Sequence, residues 1–134
     1  MPQVRLTARF LDTLKDPWLN PHTIAGGIAD DILFDGHTAL PAIRTTNGAA
    51  IAMDDAEIIE AQRRLATQEG LFCEPTAAVA IAALRHLPEV DSNSRVCCVV
   101  TGNGMKDLAA IQLRLPEPVT IAPSLDALKK ALND

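Results

Sequence analysis

The stretch Arg95-Val96-Cys97-Cys98-Val99-Val100-Thr101-Gly102-Asn103-Gly104 decides how the chain is read. Val96 to Val100 is an unbroken apolar run, as expected of a strand covered on both faces. It ends in a hydroxyl, Thr101, and a turn containing two glycines. In open parallel sheets, ligands bind beyond the carboxyl ends of strands. A threonine followed by glycines offers a hydrogen-bonding side chain beside backbone that can approach a flat ligand. By itself the pattern also fits an ordinary strand and turn. Lys106 lacks the glycine spacing and the following Ser or Thr of a nucleotide-binding loop.

Upstream, helical and extended patterns alternate. Asp54 with Glu57 three residues later forms a capping box. Ile58, Ile59, Ala61, Leu65 and Ala66 then make one apolar side, and Gly70 stands at the helix's end. Leu71-Phe72-Cys73 is a brief extended segment. Pro75 opens an alanine-rich helix reaching about Leu87. Before this, Ala49 to Met53 reads as a short buried strand. Thr38 reads as the cap of a short helix to about Arg44, with Pro41 in its first turn. The stretch His22 to Asp35 reads as a loop holding a short apolar element, and Gly26-Gly27 marks a place where backbone must bend tightly or approach something closely. Val4 to Leu14 carries a helical face. Downstream, Met105 to Leu113 reads as helical and Val119 to Ala122 as a last strand. A terminal helix follows, with Leu125, Leu128 and Leu132 on one side. The expected fold is a single α/β domain over residues 1–134, with a largely parallel sheet flanked by helices.

Composition agrees with that class. The chain has 134 residues, enough for one domain, and 48% of them are hydrophobic. Only 3% are aromatic, so the core must be built from Ala, Val, Ile and Leu. A formal net charge of −5 argues against a nucleic-acid surface, which needs clustered Lys and Arg. The pairs Arg63-Arg64 and Lys129-Lys130 read as solvated helix faces. No apolar stretch is long enough to span a bilayer, and Met1 to Arg9 lacks a signal-peptide run. Cys73, Cys97 and Cys98 have no metal-like spacing, and neither do His22, His37 and His86. The last two cysteines read as small buried hydrophobes, and a reducing cytoplasm is the expected setting.

Two further segments are candidates for chemistry. Glu74 lies between an apolar run and the alanine-rich helix. Its carboxylate is either a first-turn cap or a group aimed into a cleft, and physics alone favours the cap. The small residues of Thr23-Ile24-Ala25-Gly26-Gly27-Ile28-Ala29-Asp30 could form a ligand wall or a plain tight loop. The acidic group Asp30, Asp31 and Asp35 reads as a solvated loop, with metal binding a distant second.

Taken together and in order, these pieces resemble the fold-type II pyridoxal-phosphate enzymes. The segments 69–78 and 98–107 look most like threonine synthase, with threonine and serine dehydratases as relatives of similar pattern. Thr23 to Ala29 and Met53 to Ile58 also match the family's layout, so the resemblance covers roughly residues 17 to 112. It implies part of a three-layer large domain. It also implies that Thr101 hydrogen-bonds the cofactor's pyridine nitrogen and that Gly102 and Gly104 let backbone pass close to the ring. Glu74 would sit at the cofactor's edge, with Ala25 and Gly26 beside the ring or substrate. A hydroxyl at Thr101, in place of a carboxylate, suits eliminations and replacements that need a moderate electron sink.

The resemblance places the family's Schiff-base lysine and glycine-rich phosphate loop ahead of the matched residues. Lys15, Lys106, Lys129 and Lys130 do not match that lysine. No catalytic residue is therefore assigned, and the chain is expected to be inactive alone. An amino acid would be the substrate of the complete enzyme, and a second copy or a complementary chain the expected partner. The alternatives are a non-catalytic assembly module reusing this half-fold, or an α/β module binding some other small ligand at Gly102–Gly104.

Overall fold

The computed structural model describes residues 19–87, 93–112 and 117–133. The helical face expected over Val4 to Leu14 lies outside them. The described part is organised by two helices, one built on the capping box and one on the alanine-rich run. Its helices are α1 (Gly36–Thr45), α2 (Asp55–Glu69), α3 (Pro75–Ala82), α4 (Ala109–Gln112) and α5 (Leu125–Asn133).

α2 forms as its sequence dictates. Asp54 stands at the N-cap in extended conformation, and its N–H donates to the Glu57 carboxylate at 3.5 Å. At the other end Gly70 adopts φ +69°, which lets its N–H reach back to the last turn at low cost. α3 starts with Pro75 at N1, where a missing N–H costs nothing, and tightens into a 3-10 turn over Ala83–His86.

The core is where α2 and α3 meet. Ile58 and Ala61 of α2 are buried with Ala77, Ala78 and Ala82 of α3. Alanines let the two helices approach closely. Ala25 and Cys73 complete the cluster, with Ile24, Met53, Leu65 and Val79 packed around it. Gln62 is the buried polar side chain here, and its amide donates to the Cys73 carbonyl at 2.6 Å. That bond ties the segment before α3 to the middle of α2.

Several expectations need correction. α1 begins at Gly36, not after a Thr38 cap. Asp35 holds the N-cap position, Thr38 donates both its N–H and its hydroxyl to the Asp35 carbonyl, and Pro41 lies inside the helix. The helix expected over Met105 to Leu113 is split into a 3-10 turn, Gly104–Lys106, and the short α4.

No strand forms among the described residues, so the expected parallel sheet is not seen there. The runs 49–53, 95–101 and 119–122 carry no ladder. A strand takes its hydrogen bonds from a neighbouring strand, and among the described residues these runs take part in no β-pairing. Val99 is consequently 69% exposed. Cys97, expected to be buried, is exposed, and Cys98 is half-buried with its thiol 3.8 Å from the Ala80 carbonyl. The terminal helix is present as α5, and its Leu125, Leu128 and Leu132 are all exposed.

Candidate functional site

One isolated antiparallel bridge, Cys73 with Asn103, joins the two segments that the sequence singled out. The Glu74 N–H donates to the Gly102 carbonyl at 3.0 Å, and the Gly104 N–H donates to the Phe72 carbonyl at 3.0 Å. Residues 72–74 and 102–104 therefore run side by side. Gln62 holds the middle of this pair from below through the Cys73 carbonyl.

The bridge explains both glycines. A Cβ on Gly104 would lie 2.6 Å from the Phe72 ring. A Cβ on Gly102 would collide with the carboxylate of Glu74. Both glycines are buried. The close approach that the sequence reading ascribed to a ligand is thus made, at least in part, by the protein's own side chains.

Glu74 occupies the N-cap position of α3, but its side chain makes no capping hydrogen bond. The carboxylate lies over Gly102 instead. The cap reading, favoured from physics alone, gives way to a carboxylate presented at the glycine turn. Thr101 precedes that turn and is exposed. Asn103 caps the following 3-10 turn, its side-chain oxygen accepting from the Met105 N–H at 2.9 Å.

The third candidate segment reaches the same helix end. The Gly27 N–H donates to the Thr76 hydroxyl at 3.0 Å, and a Cβ on Gly27 would lie 2.9 Å from that oxygen. Thr76 is two residues beyond Glu74, so both segments converge on the first turn of α3. Ala25 is fully buried in the core, whereas Gly26 is exposed.

Asp55 is a residue that sequence reasoning passed over. It follows the N-cap Asp54 and reads as one more first-turn acid. In the folded chain its carboxylate accepts the Thr23 hydroxyl at 2.6 Å and the Ile24 N–H at 3.2 Å. No local signal reveals this, because the partners are more than thirty positions apart. Beside it, a cleft of about 480 Å³ opens among His22, Thr23, Met53, Asp55 and Val79. Thr101, Gly102 and Glu74 do not line that cleft.

Four groups have shifted acidities: the Glu60–Arg63 ion pair lowers the Glu60 carboxyl and raises the Arg63 guanidinium by their shared hydrogen bond, and Glu57 and Cys73 are shifted as well. The His86 ring, 2.8 Å from Glu57, holds that carboxyl below its ordinary value by hydrogen bonding, aided by the Asp54 N–H. Burial pushes the Cys73 thiol up, so it is a packing group and a poor nucleophile. Among the described residues no group of His, Cys, Asp and Glu side chains could hold a metal ion. No helix there is long and apolar enough to cross a membrane.

Comparison with known proteins places the sequence in a family. A threonine synthase of Methanocaldococcus jannaschii is 40% identical over 130 residues, covering 93% of this chain and 32% of that protein. A threonine synthase of Synechocystis sp. is 41% identical over 92 residues, 68% of this chain and 24% of its own length. One from Methanosarcina acetivorans is 34% identical over 119 residues, 87% of this chain and 29% of its own. The chain thus spans only 24% to 32% of these relatives. The family described as pyridoxal-phosphate dependent enzymes matches residues 4–102, from ahead of the Thr23–Ala29 loop to the first glycine of the turn. That match takes in Ala25, Gly26, Glu74, Thr101 and Gly102, and with the threonine synthase relatives it shows that the chain belongs to the pyridoxal-phosphate dependent enzyme family, with a threonine synthase-like sequence.

Proposed function

We propose that this chain supplies the ring-side wall of a threonine synthase-like enzyme that performs elimination or replacement on an amino acid. The observation that carries the reading is the convergence of Glu74, Gly102 and Thr101 at one turn, in the order of the family pattern. The residues present suit the aromatic side of pyridoxal phosphate. An exposed hydroxyl stands at the end of an extended segment, next to backbone without side chains, with a carboxylate at its edge. No matching lysine or glycine-rich phosphate loop accompanies them.

When bound, the cofactor supplies an electron sink for loss of a proton beside the substrate's amino group. The chain's own part is narrower. Thr101 would offer its hydroxyl to the cofactor's pyridine nitrogen, a neutral partner where a carboxylate would favour a charged one. Gly102 and Gly104 would let backbone approach the ring once Glu74 and Phe72, which lie over them here, draw aside; the exposed Gly26 would flank the ring or substrate, with the buried Ala25 packed behind it. Glu74 lines the cofactor's edge. Phosphohomoserine, threonine and serine are the substrate class. A complementary polypeptide carrying the lysine, or the rest of a longer chain, completes the site. In that assembly, runs 95–101 and 119–122 become strands of a largely parallel sheet in the three-layer large domain, and residues 1–134 act as one unit of it. A reducing cytoplasm suits the three free thiols.

The test is spectroscopic. Purified chain mixed with pyridoxal phosphate is expected to give no product from phosphohomoserine, threonine or serine. Adding a polypeptide that bears the family's lysine and phosphate loop should restore both cofactor absorbance and turnover. Thr101→Val should then lower cofactor affinity. Amino-acid-dependent turnover by the chain alone would overturn the claim that it is incomplete. Unchanged affinity in the Thr101→Val assembly would overturn the site assignment.

The exposed valines favour one second reading, a non-catalytic assembly module. Val96, Val99 and Val100 present apolar surface that a second copy or another chain would cover. Failure of every complementing polypeptide, together with stable self-association, would select it.

A further inference from the structure

The Thr23–Ala29 loop has little regular structure of its own, yet it is tied at both ends to helix first turns. At one end the Asp55 carboxylate accepts the Thr23 hydroxyl at 2.6 Å. The same group accepts the Ile24 N–H at 3.2 Å and 3.3 Å from its two oxygens. The Thr23 oxygen, oriented by that bond, accepts the Ala25 N–H at 3.2 Å. The Ala25 carbonyl accepts the Ile28 N–H at 3.0 Å, closing the 3-10 turn. At the other end the Gly27 N–H donates to Thr76 of α3 at 3.0 Å.

We infer that Asp55 is a positioning residue for the ligand-facing loop: its carboxylate clamps Thr23 and Ile24, and so sets where Ala25, Gly26 and Gly27 meet the first turn of α3. This deepens the function proposed above and rests on that reading for the word ligand-facing. The chemistry favours Asp here. Two donors converge on one group, one of them shared between its oxygens, and an ionised carboxylate is an acceptor at both oxygens, whereas an amide has only one accepting oxygen. Bonds to a charged acceptor are also the stronger kind. Asp54, one residue earlier, is exposed at the helix cap. Asp55 is half-buried and faces the loop, so the two neighbouring acids have divided tasks.

A plain alternative is that Asp55 only complements the dipole of α2, as any first-turn acid does. Amide hydrogen exchange on the full 134-residue chain without cofactor separates the two. Asp55→Ala should speed exchange at Ile24, Ala25 and Gly27 by about tenfold or more, while Ala61 and Ala78 in the helix core keep their protection. Thr23→Ser should retain wild-type exchange at these loop amides, and Thr23→Val should lose it at Ala25. Asp55→Asn, which keeps one acceptor, should fall between wild type and Asp55→Ala. If Asp55→Ala does not fold, the Asp55→Asn and Thr23 variants give the same reading. Loop exchange that is unchanged, or that rises only in step with the helix core, would overturn the proposal. Because no cofactor is present, failure of the cofactor reading leaves this result standing, and failure of the clamp leaves the cofactor experiment standing.

Discussion

Gly102 and Gly104 look equivalent in sequence, yet they face different neighbours. Gly104 lies under a ring, and its missing Cβ would sit 2.6 Å from Phe72. A ring packed at a bridge yields poorly, so Gly104→Ala should destabilise the chain by about 1–3 kcal/mol, read as a lower denaturation midpoint in urea. Gly102 lies under the end of a flexible side chain, which can swing away. Gly102→Ala should change stability much less while displacing the Glu74 carboxylate, which a changed carboxyl chemical shift at fixed pH in carbon-detected NMR would report. Gln62 makes a third case. Its amide serves the Cys73 carbonyl at 2.6 Å in the core. Gln62→Leu fills similar space but leaves that carbonyl without its donor, at a cost of about 1–3 kcal/mol in the same measurement.

At the scale of elements, α2 is a hub whose first turn does more than start a helix. Asp54 caps it, Glu57 completes the box, and His86 at the end of the α3 extension bonds Glu57 at 2.8 Å. The Glu57 carboxyl is held below its ordinary value of 4.5, chiefly by the His86 hydrogen bond. A depressed carboxyl stabilises the fold above its unfolded value. In the window between the ordinary and the lowered value the unfolded chain binds more protons, so stability falls as pH drops through it. Melting temperature followed below pH 4.5 should therefore decline, and Glu57→Gln should flatten that decline. An equally steep profile in Glu57→Gln would show that other carboxylates control it. The capping box and Gly70 were legible in the sequence because caps are local chemistry. The His86 contact was not, because it depends on how α3 lies across α2.

At the scale of the molecule, the described residues bury a small alanine-rich core and leave long apolar side chains outside. Val96, Val99, Val100, Leu125, Leu128 and Leu132 are all exposed. Scattered exposed leucines are ordinary, but an unladdered run of valines is a surface ready to pair. The chain alone should self-associate at micromolar concentration by light scattering on a sizing column, and Val99→Lys should shift it toward monomer. A well-behaved monomer with and without the substitution would sink this expectation. The run 95–101 reads as a strand from its composition, and composition senses burial in a completed sheet. It cannot sense whether the neighbouring strands are present.

The sequence by itself determined the family, the positions of Glu74, Thr101 and the glycine turn, the ends of α2, and the proline start of α3. Each depends on residue identity at short spacing, where local physics acts. Only the tertiary structure decided that Glu74 leaves its capping role to lie over Gly102, and that Phe72 covers Gly104. It alone brought Asp55 to the Thr23 loop and Gln62 to Cys73. Those pairings join residues far apart in the chain, and they are set by how α2 and α3 pack, which no local pattern encodes.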